Sequence, residues 1–315
     1  MEYRNLGKSG LQVSAVGLGC NNFGMRIDAD QTKVVVDKAV ELGINFFDTA
    51  DVYGARGKSE EFLGAAIKPH RRNIILATKF RTPMGEGPLW GGGSRKYIFE
   101  AVDASMKRLD TDYIDLYQMH FPDVATPIEE TMRALDDVVK SGRVRYVGCS
   151  NYTGWQVVEA QWVARTEHLS PFISAQNQYN LLDRRIERDL GQVAEKYGVG
   201  VLPYFPLANG FLTGKYRPGQ PPPEGTRIAA MGQRAQGVLT EQNFAVLTSL
   251  EDFAQQRGHT MLDLAIGWLA SHPWVSSVIA GATKPEQLEQ NVAAGAWKLT
   301  PEEMAEVDKL SRRPE

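Results

Sequence analysis

Short runs of β-branched and aromatic residues alternate along this chain with longer segments in which apolar residues recur every three to four positions. The short runs are AVGLGC (15–20), NFFDTA (45–50), IILATKF (74–80), IDLYQMH (114–120), VRYVGCS (144–150), SAQNQYN (174–180), GVLPYFPL (200–207) and SSVIAGA (276–282). Between them the helical period predicts helices such as 29–42, 59–67, 94–108 and 127–141. Ser94 is placed to cap the third of these, while Gly43 and Gly142 stop the first and fourth. Eight strands, each followed by a helix and with no linker between them, read as parallel βαβ units. That count favours a closed (β/α)8 TIM barrel over a doubly wound sheet. Ahead of them, YRNLGKSGLQVS (3–14) predicts an N-terminal β-hairpin over 1–14 that plugs the barrel bottom. The expectation is one barrel domain over 1–315, ending in a C-terminal helix at 300–311. Long loops follow the third and seventh strands, at 81–93 and 208–238. The second of them contains three consecutive prolines and is expected to be partly mobile.

Composition narrows the function classes. With 35 basic against 38 acidic residues the net charge is -3, which leaves no basic stripe for nucleic acid and no polybasic membrane patch. The two cysteines, Cys20 and Cys149, make no disulfide framework and match no zinc spacing. No apolar run reaches membrane-spanning length, and the N-terminus lacks the apolar segment of a signal peptide. The expected location is the cytoplasm, with no nucleic-acid or membrane partner. His70, His168, His259 and His272 lie near helix ends or turns without ligand spacing, so no metal is expected.

Polar residues gather at the predicted C-terminal ends of the strands. Asp48 ends the second strand and Tyr53 follows it; Lys79 nearly ends the third, and His120 ends the fourth. Alternation puts Phe46 with Asp48 on one face, Ile75 and Ala77 with Lys79, and Leu116 and Gln118 with His120. Each residue alone is ordinary: an Asp in a turn, a solvated Lys, a core His, a packing Tyr. On consecutive strand ends they bring an acid, a cation, an imidazole and a phenol together. A free phenol, with a pKa near ~10, is a reluctant proton donor. An adjacent ammonium is expected to lower that value, and a carboxylate to hold the ammonium. Such a group suits proton transfer to a carbonyl oxygen.

FFDTADVYG, ILATK and DLYQMH resemble the three motifs that carry the catalytic tetrad of aldo-keto reductases. The likeness runs from the N-terminal hairpin to the final helix, and includes the branch containing potassium-channel β-subunits. It implies a barrel enzyme that reduces aldehydes or ketones with a nicotinamide cofactor. Asp48, Tyr53, Lys79 and His120 match the tetrad, with Tyr53 as general acid, whereas Asp51 matches no tetrad position.

The usual dinucleotide fingerprint is absent, since GLGCNNFG breaks the G-x-G-x-x-G spacing and GFLTGKY fails as a P-loop. The resemblance implies a different grip. Ser150, Asn151 and Gln176 would meet the nicotinamide amide, and Tyr204 would stack under its ring, with Pro206 and Leu207 following. Asn209, Leu212, Gly214 and Lys215 would line the pyrophosphate. Gly281, Thr283, Lys284, Gln287 and Asn291 would hold the adenosine ribose. Many NADPH-specific relatives have Arg where this chain has Gln287. Lys284 and Arg227 remain to meet a 2′-phosphate, so NADPH is preferred and NADH possible. Asn22, Trp90 and Phe121 are placed near the substrate, a small carbonyl compound; the particular substrate and the oligomeric state stay open. Two other functions compete: a Schiff-base lyase using Lys79, and a non-enzymatic NADPH-binding regulatory subunit, with which the GKY at 214–216 agrees.

Overall fold

Two antiparallel strands, β1 (Tyr3–Asn5) and β2 (Gln12–Ser14), open the computed structural model, which describes residues 1–311. Eight parallel strands follow: β3 (Val16–Gly19), β4 (Phe46–Asp48), β5 (Ile75–Phe80), β6 (Ile114–Met119), β7 (Val144–Ser150), β8 (Phe172–Gln178), β9 (Gly200–Tyr204) and β10 (Val278–Gly281). They pair in the order β10-β3-β4-β5-β6-β7-β8-β9. The ring closes through a parallel bridge between Val201 and Val275, where Val201 N donates to Trp274 O at 2.8 Å and Ser276 N to Val201 O at 3.0 Å. This is the expected (β/α)8 barrel.

The helices are α1 (Ala29–Glu41), α2 (Tyr53–Ile67), α3 (Arg95–Leu109), α4 (Ile128–Lys140), α5 (Gly154–Thr166), α6 (Leu190–Tyr197), α7 (Glu241–Gln256), α8 (Met261–Ser271), α9 (Pro285–Ala294) and α10 (Pro301–Ser311). Their ends follow local chemistry. Asp28 and Gln31 form a reciprocal capping box before α1, and the Ser94 hydroxyl accepts from Tyr97 N at the start of α3. One helix per strand is corrected at β9, which is followed by both α7 and α8. The C-terminal α10 packs on α7, where Arg257 pairs with Glu306 at 2.8 Å.

Period two sorts the strand side chains. Phe46, Ile75, Ala77, Leu116, Leu202 and Ile279 fill the barrel interior, while Val16, Leu18, Phe47, Leu76, Tyr117 and Val147 join the outer core. The hairpin contributes Leu6 and Val13 to the interior cluster, which seals the bottom. Gly7 makes that seal possible: its φ is +59°, and a Cβ there would lie 2.4 Å from Gly198 O. With the bottom plugged, polar chemistry is left to the C-terminal ends of the strands.

Two boundaries bear on function: the first differs from the sequence pattern, and the second agrees with the helix expected over 59–67. The strand expected over 200–207 ends at Tyr204, because Phe205 takes φ +52° and Pro206 carries no N–H. In α2, Gly54, Ala55, Arg56 and Gly57 have φ of 65°, 58°, 67° and 121°, so regular helix begins only after them. This left-handed turn places Tyr53 above the barrel mouth rather than on a continuous helix. Residues 312–315 of the expected 1–315 unit lie outside the described residues.

Candidate active site

Asp48 and Lys79 meet inside the upper end of the barrel. Both are buried, and Lys79 Nζ donates to Asp48 Oδ2 at 2.6 Å and to Thr49 O at 2.9 Å. The same ammonium lies 5.0 Å from the centre of the Tyr53 ring. The Tyr53 ring stands edge-on to His120, with centroids 5.7 Å apart and planes at 82°. All four residues of the predicted constellation are therefore within one cluster. Two residues complete it from below: Gln118 Nε2 and Gln176 Nε2 donate to Asp48 Oδ1 at 3.0 and 2.9 Å.

Burial shapes the protonation states. The Lys79 pKa is depressed by burial but raised more by Asp48 and Tyr53, so it stands above the ordinary lysine value. An ammonium held in this way is a poor Schiff-base nucleophile, which weighs against the lyase alternative. Tyr53 corrects an expectation. Lys79 does pull its pKa down, yet burial pushes it up further and Asp48 adds to the rise, so the phenol stands above its ordinary value. At neutral pH Tyr53 therefore holds its proton, as a donor must. His120 is pushed down to about 3 by burial and by the Lys79 and Arg81 charges. It is a neutral imidazole throughout the physiological range, and its Nδ1 has no partner among the described residues.

A cavity of ≈ 700 Å³ opens above this cluster, with Asp48, Tyr53 and His120 in its wall. On one side, Ser150, Asn151, Gln176 and Tyr204 form a linked wall. Tyr204 Oη donates to Asn151 Oδ1 at 2.7 Å, Asn151 Nδ2 to Ser150 Oγ at 3.0 Å, and Ser150 Oγ to Gln176 O at 2.8 Å. Pro206, Leu207, Asn209 and Lys215 continue it along the loop after β9, and Arg227 returns from further along that loop. The opposite end is formed by Gly281, Thr283, Lys284 and Gln287, where β10 runs into α9. There Gln287 Oε1 accepts from Thr283 N at 2.8 Å.

Three of the candidate cofactor residues do not line the cavity. Leu212 is buried in the outer core, Asn291 is buried on α9, and Gly214 faces Glu251 and Met261. Among the candidate substrate residues, Asn22 lines the cavity and keeps a buried, unpartnered Oδ1. Phe121 also lines it, stacked on His120 at 4.9 Å. Trp90 does not; it is 54% exposed and its indole lies over Gly85, because the 81–93 loop folds on itself. The sequence pattern had passed over Arg26, Phe205, Gly210 and the 224–226 segment, all in the cavity wall. Arg26 Nη2 donates to Gly225 O at 3.0 Å, so the loop after β3 and the long loop after β9 meet across the mouth.

The cavity suits an extended anion. Arg26, Lys215, Arg227 and Lys284 line it, and none has a carboxylate partner among the described residues. Arg227 sits over the Phe205 ring at 5.1 Å, and its pKa is lowered by burial and by the Arg26 charge. Guanidinium and ammonium groups without carboxylate partners, one of them, Lys284, at the N-terminus of α9, are what a dinucleotide phosphate needs. Asp51 points elsewhere. It is 1% exposed, no side chain among the described residues bonds its carboxylate, and burial followed by Glu60 pushes its pKa up to about 8. Its backbone N–H donates to Lys79 O at 3.1 Å. No group of three or more His, Cys, Asp or Glu among the described residues is arranged to hold a metal ion.

Comparison with known proteins places this geometry. A family model described as "Aldo/keto reductase family" matches residues 15–312. A "Probable voltage-gated potassium channel subunit beta" of Arabidopsis thaliana is 39% identical over 302 residues, covering 93% of this chain and 91% of that protein. An "L-glyceraldehyde 3-phosphate reductase" of Escherichia coli (strain K12) is 38% identical over 320 residues, covering 98% and 92%. A "Putative voltage-gated potassium channel subunit beta" of Schizosaccharomyces pombe is 37% identical over 323 residues, covering 98% and 92%.

Proposed function

Because the chain belongs to the aldo/keto reductase family, we propose that it is an NADPH-preferring reductase of aldehydes and ketones with Tyr53 as general acid. Family membership and the reductase relative support oxidoreduction as the reaction class. The observation that carries the finer reading is the buried Asp48–Lys79 pair beneath a protonated Tyr53, at one end of a cavity with four cations that have no carboxylate partner among the described residues. A bound reduced nicotinamide supplies the hydride. Ser150, Asn151 and Gln176 would hold its amide and Tyr204 its ring face, while Lys215, Arg227, Thr283 and Lys284 would meet the phosphates.

The chain's own residues manage the proton. Tyr53 gives its phenolic proton to the carbonyl oxygen as that oxygen gains charge. Lys79 offsets the phenolate that remains, and Asp48 keeps the ammonium in place. His120, being neutral, donates a hydrogen bond to the substrate oxygen and orients it. A small carbonyl compound and a cytoplasmic location accompany this function; no helix among the described residues is long and apolar enough to cross a membrane.

The test is a panel of aldehydes and ketones, phosphorylated aldehydes included, assayed with NADPH and NADH side by side. Turnover with NADPH favoured by about tenfold or more, near 1.4 kcal/mol, is expected. Equal use of the two would refute the preference. A second reading follows from the channel-subunit names of two relatives: a regulatory subunit that retains its nucleotide. Very slow turnover across the whole panel, with nucleotide that survives dialysis, would favour it.

A further inference from the structure

Gln118 lies on the inner face of β6, in register with Lys79 on β5 and Gly148 on β7. It is fully buried and does not line the cavity. Gly148 faces it on β7, where a Cβ would make ordinary contact with Gln118 Cγ at 3.4 Å but would stand 2.2 Å from Ser174 Oγ. Gln118 Nε2 reaches Asp48 Oδ1, two strands away on β4, at 3.0 Å. Asp48 thus has its two oxygens assigned to different partners, Oδ2 to the Lys79 ammonium and Oδ1 to amide donors.

The two amides are not equivalent. Gln176 lines the cavity and is open to a ligand, which can draw its amide away from Asp48. Gln118 is beneath the cavity, out of a ligand's reach, and is the donor that persists when the site is filled. A neutral donor on Oδ1 does two things. It fixes the carboxylate plane so that one oxygen alone faces Lys79, and it draws off part of the negative charge. Both effects leave more of the Lys79 field for Tyr53.

We propose that Gln118 is a positioning residue for the proton donor, acting through Asp48 and Lys79 to set how readily Tyr53 releases its proton. Without the amide, the carboxylate is free to turn both oxygens toward Lys79 and to neutralise it more completely. Tyr53 then becomes a weaker acid. The groups that face this relay are Lys79 on β5, Asp48 at the end of β4, Asp51 in the loop after it, Cys20 after β3, Gln176 on β8, Tyr204 on β9, Arg227 from the long loop and Tyr53 itself; Asp51, like Asp48, raises the Tyr53 pKa, and His120 is neutral and contributes no charge.

This inference rests on Tyr53 being the acid, and its test separates the two claims. Wild type, Gln118→Leu and Gln118→Met are compared for kcat against pH, for cofactor Kd, and for Tyr53 ionisation. The last is read as the ultraviolet tyrosinate difference between each enzyme and its Tyr53→Phe counterpart, a readout that needs no turnover. In the folded variants kcat should fall by about tenfold and the alkaline limb should move up by about one pH unit, with the Tyr53 titration moving alongside. Cofactor Kd should change by no more than about threefold, since Gln118 does not line the cavity and touches it only through a long 3.5 Å bond that its Oε1 accepts from Gln176 Nε2. A merely structural role would lower thermal stability without moving either titration. Should the leucine variant fail to fold, the methionine variant, which keeps the chain length, is read in the same way. Unchanged pH limb and Tyr53 titration in a folded variant would overturn the positioning role. Absent carbonyl turnover in the wild type would instead refute the function proposed above, with the Tyr53 titration still reporting on Gln118.

Discussion

Replacing Tyr53 by phenylalanine should lower kcat for carbonyl reduction by about three orders of magnitude while cofactor affinity changes by no more than about twofold. The substitution deletes one oxygen and leaves the ring to pack edge-on against His120, 5.7 Å away. The fold and the cavity wall therefore persist. What disappears is the phenolic proton beside Lys79: His120 is already neutral, the Lys79 ammonium is engaged by Asp48 and Thr49, and the Tyr204 phenol is committed to Asn151. Hydride delivered without a proton donor would leave an alkoxide in a site with only His120 to hydrogen-bond it. Steady-state kinetics and a nucleotide titration of the same sample check both halves of the statement. Turnover within tenfold of wild type would assign the proton to another group.

Lys79→Met should lose activity by about 10²-fold to 10³-fold and should also lose stability, and the two losses should be separable. Removing the ammonium strands the Asp48 carboxylate in the barrel, a change that typically costs about 3–5 kcal/mol. Adding Asp48→Asn removes that stranded charge. The double variant should recover much of the melting temperature while staying as inactive as the single one, because nothing then helps Tyr53 release its proton. Thermal unfolding and kinetics on wild type, both single variants and the double variant form the required cycle. Recovery of activity together with stability would reduce Lys79 to a packing element.

The barrel and the meeting of Asp48, Lys79, Tyr53 and His120 were largely legible along the chain, for a common reason. On a strand every second residue shares a face, so Asp48, Lys79 and His120 at the ends of neighbouring strands were bound to converge once the barrel was recognised. The exact place of Tyr53 was not legible, since it depends on four successive left-handed residues, 54–57, of which only two are glycine. Nor was its pKa. The charge of a neighbouring lysine can be read from spacing, but the burial that outweighs it comes from the folded surroundings.

Loop residues were harder still. Trp90 looked like a pocket wall because of its position, and it packs instead on Gly85 within its own loop. Leu212 and Gly214 follow strand β9 as a cofactor loop should, yet the tight turns after Tyr204 carry them off the cavity wall. Gln118 shows the limit from the other side. Its face was predictable, but its bond to Asp48, two strands away on β4, depends on how its side chain is placed in the folded interior.

The most direct measurement follows one atom. NADPH carrying deuterium at both C4 positions of its dihydronicotinamide is incubated with the enzyme and its preferred carbonyl compound in ordinary water, and the alcohol is examined by NMR. Reduction by hydride transfer in this cavity places one deuterium on the former carbonyl carbon, with the new hydroxyl proton drawn from Tyr53 and exchangeable with water. An alcohol bearing only hydrogen at that carbon, or no alcohol at all, would contradict it.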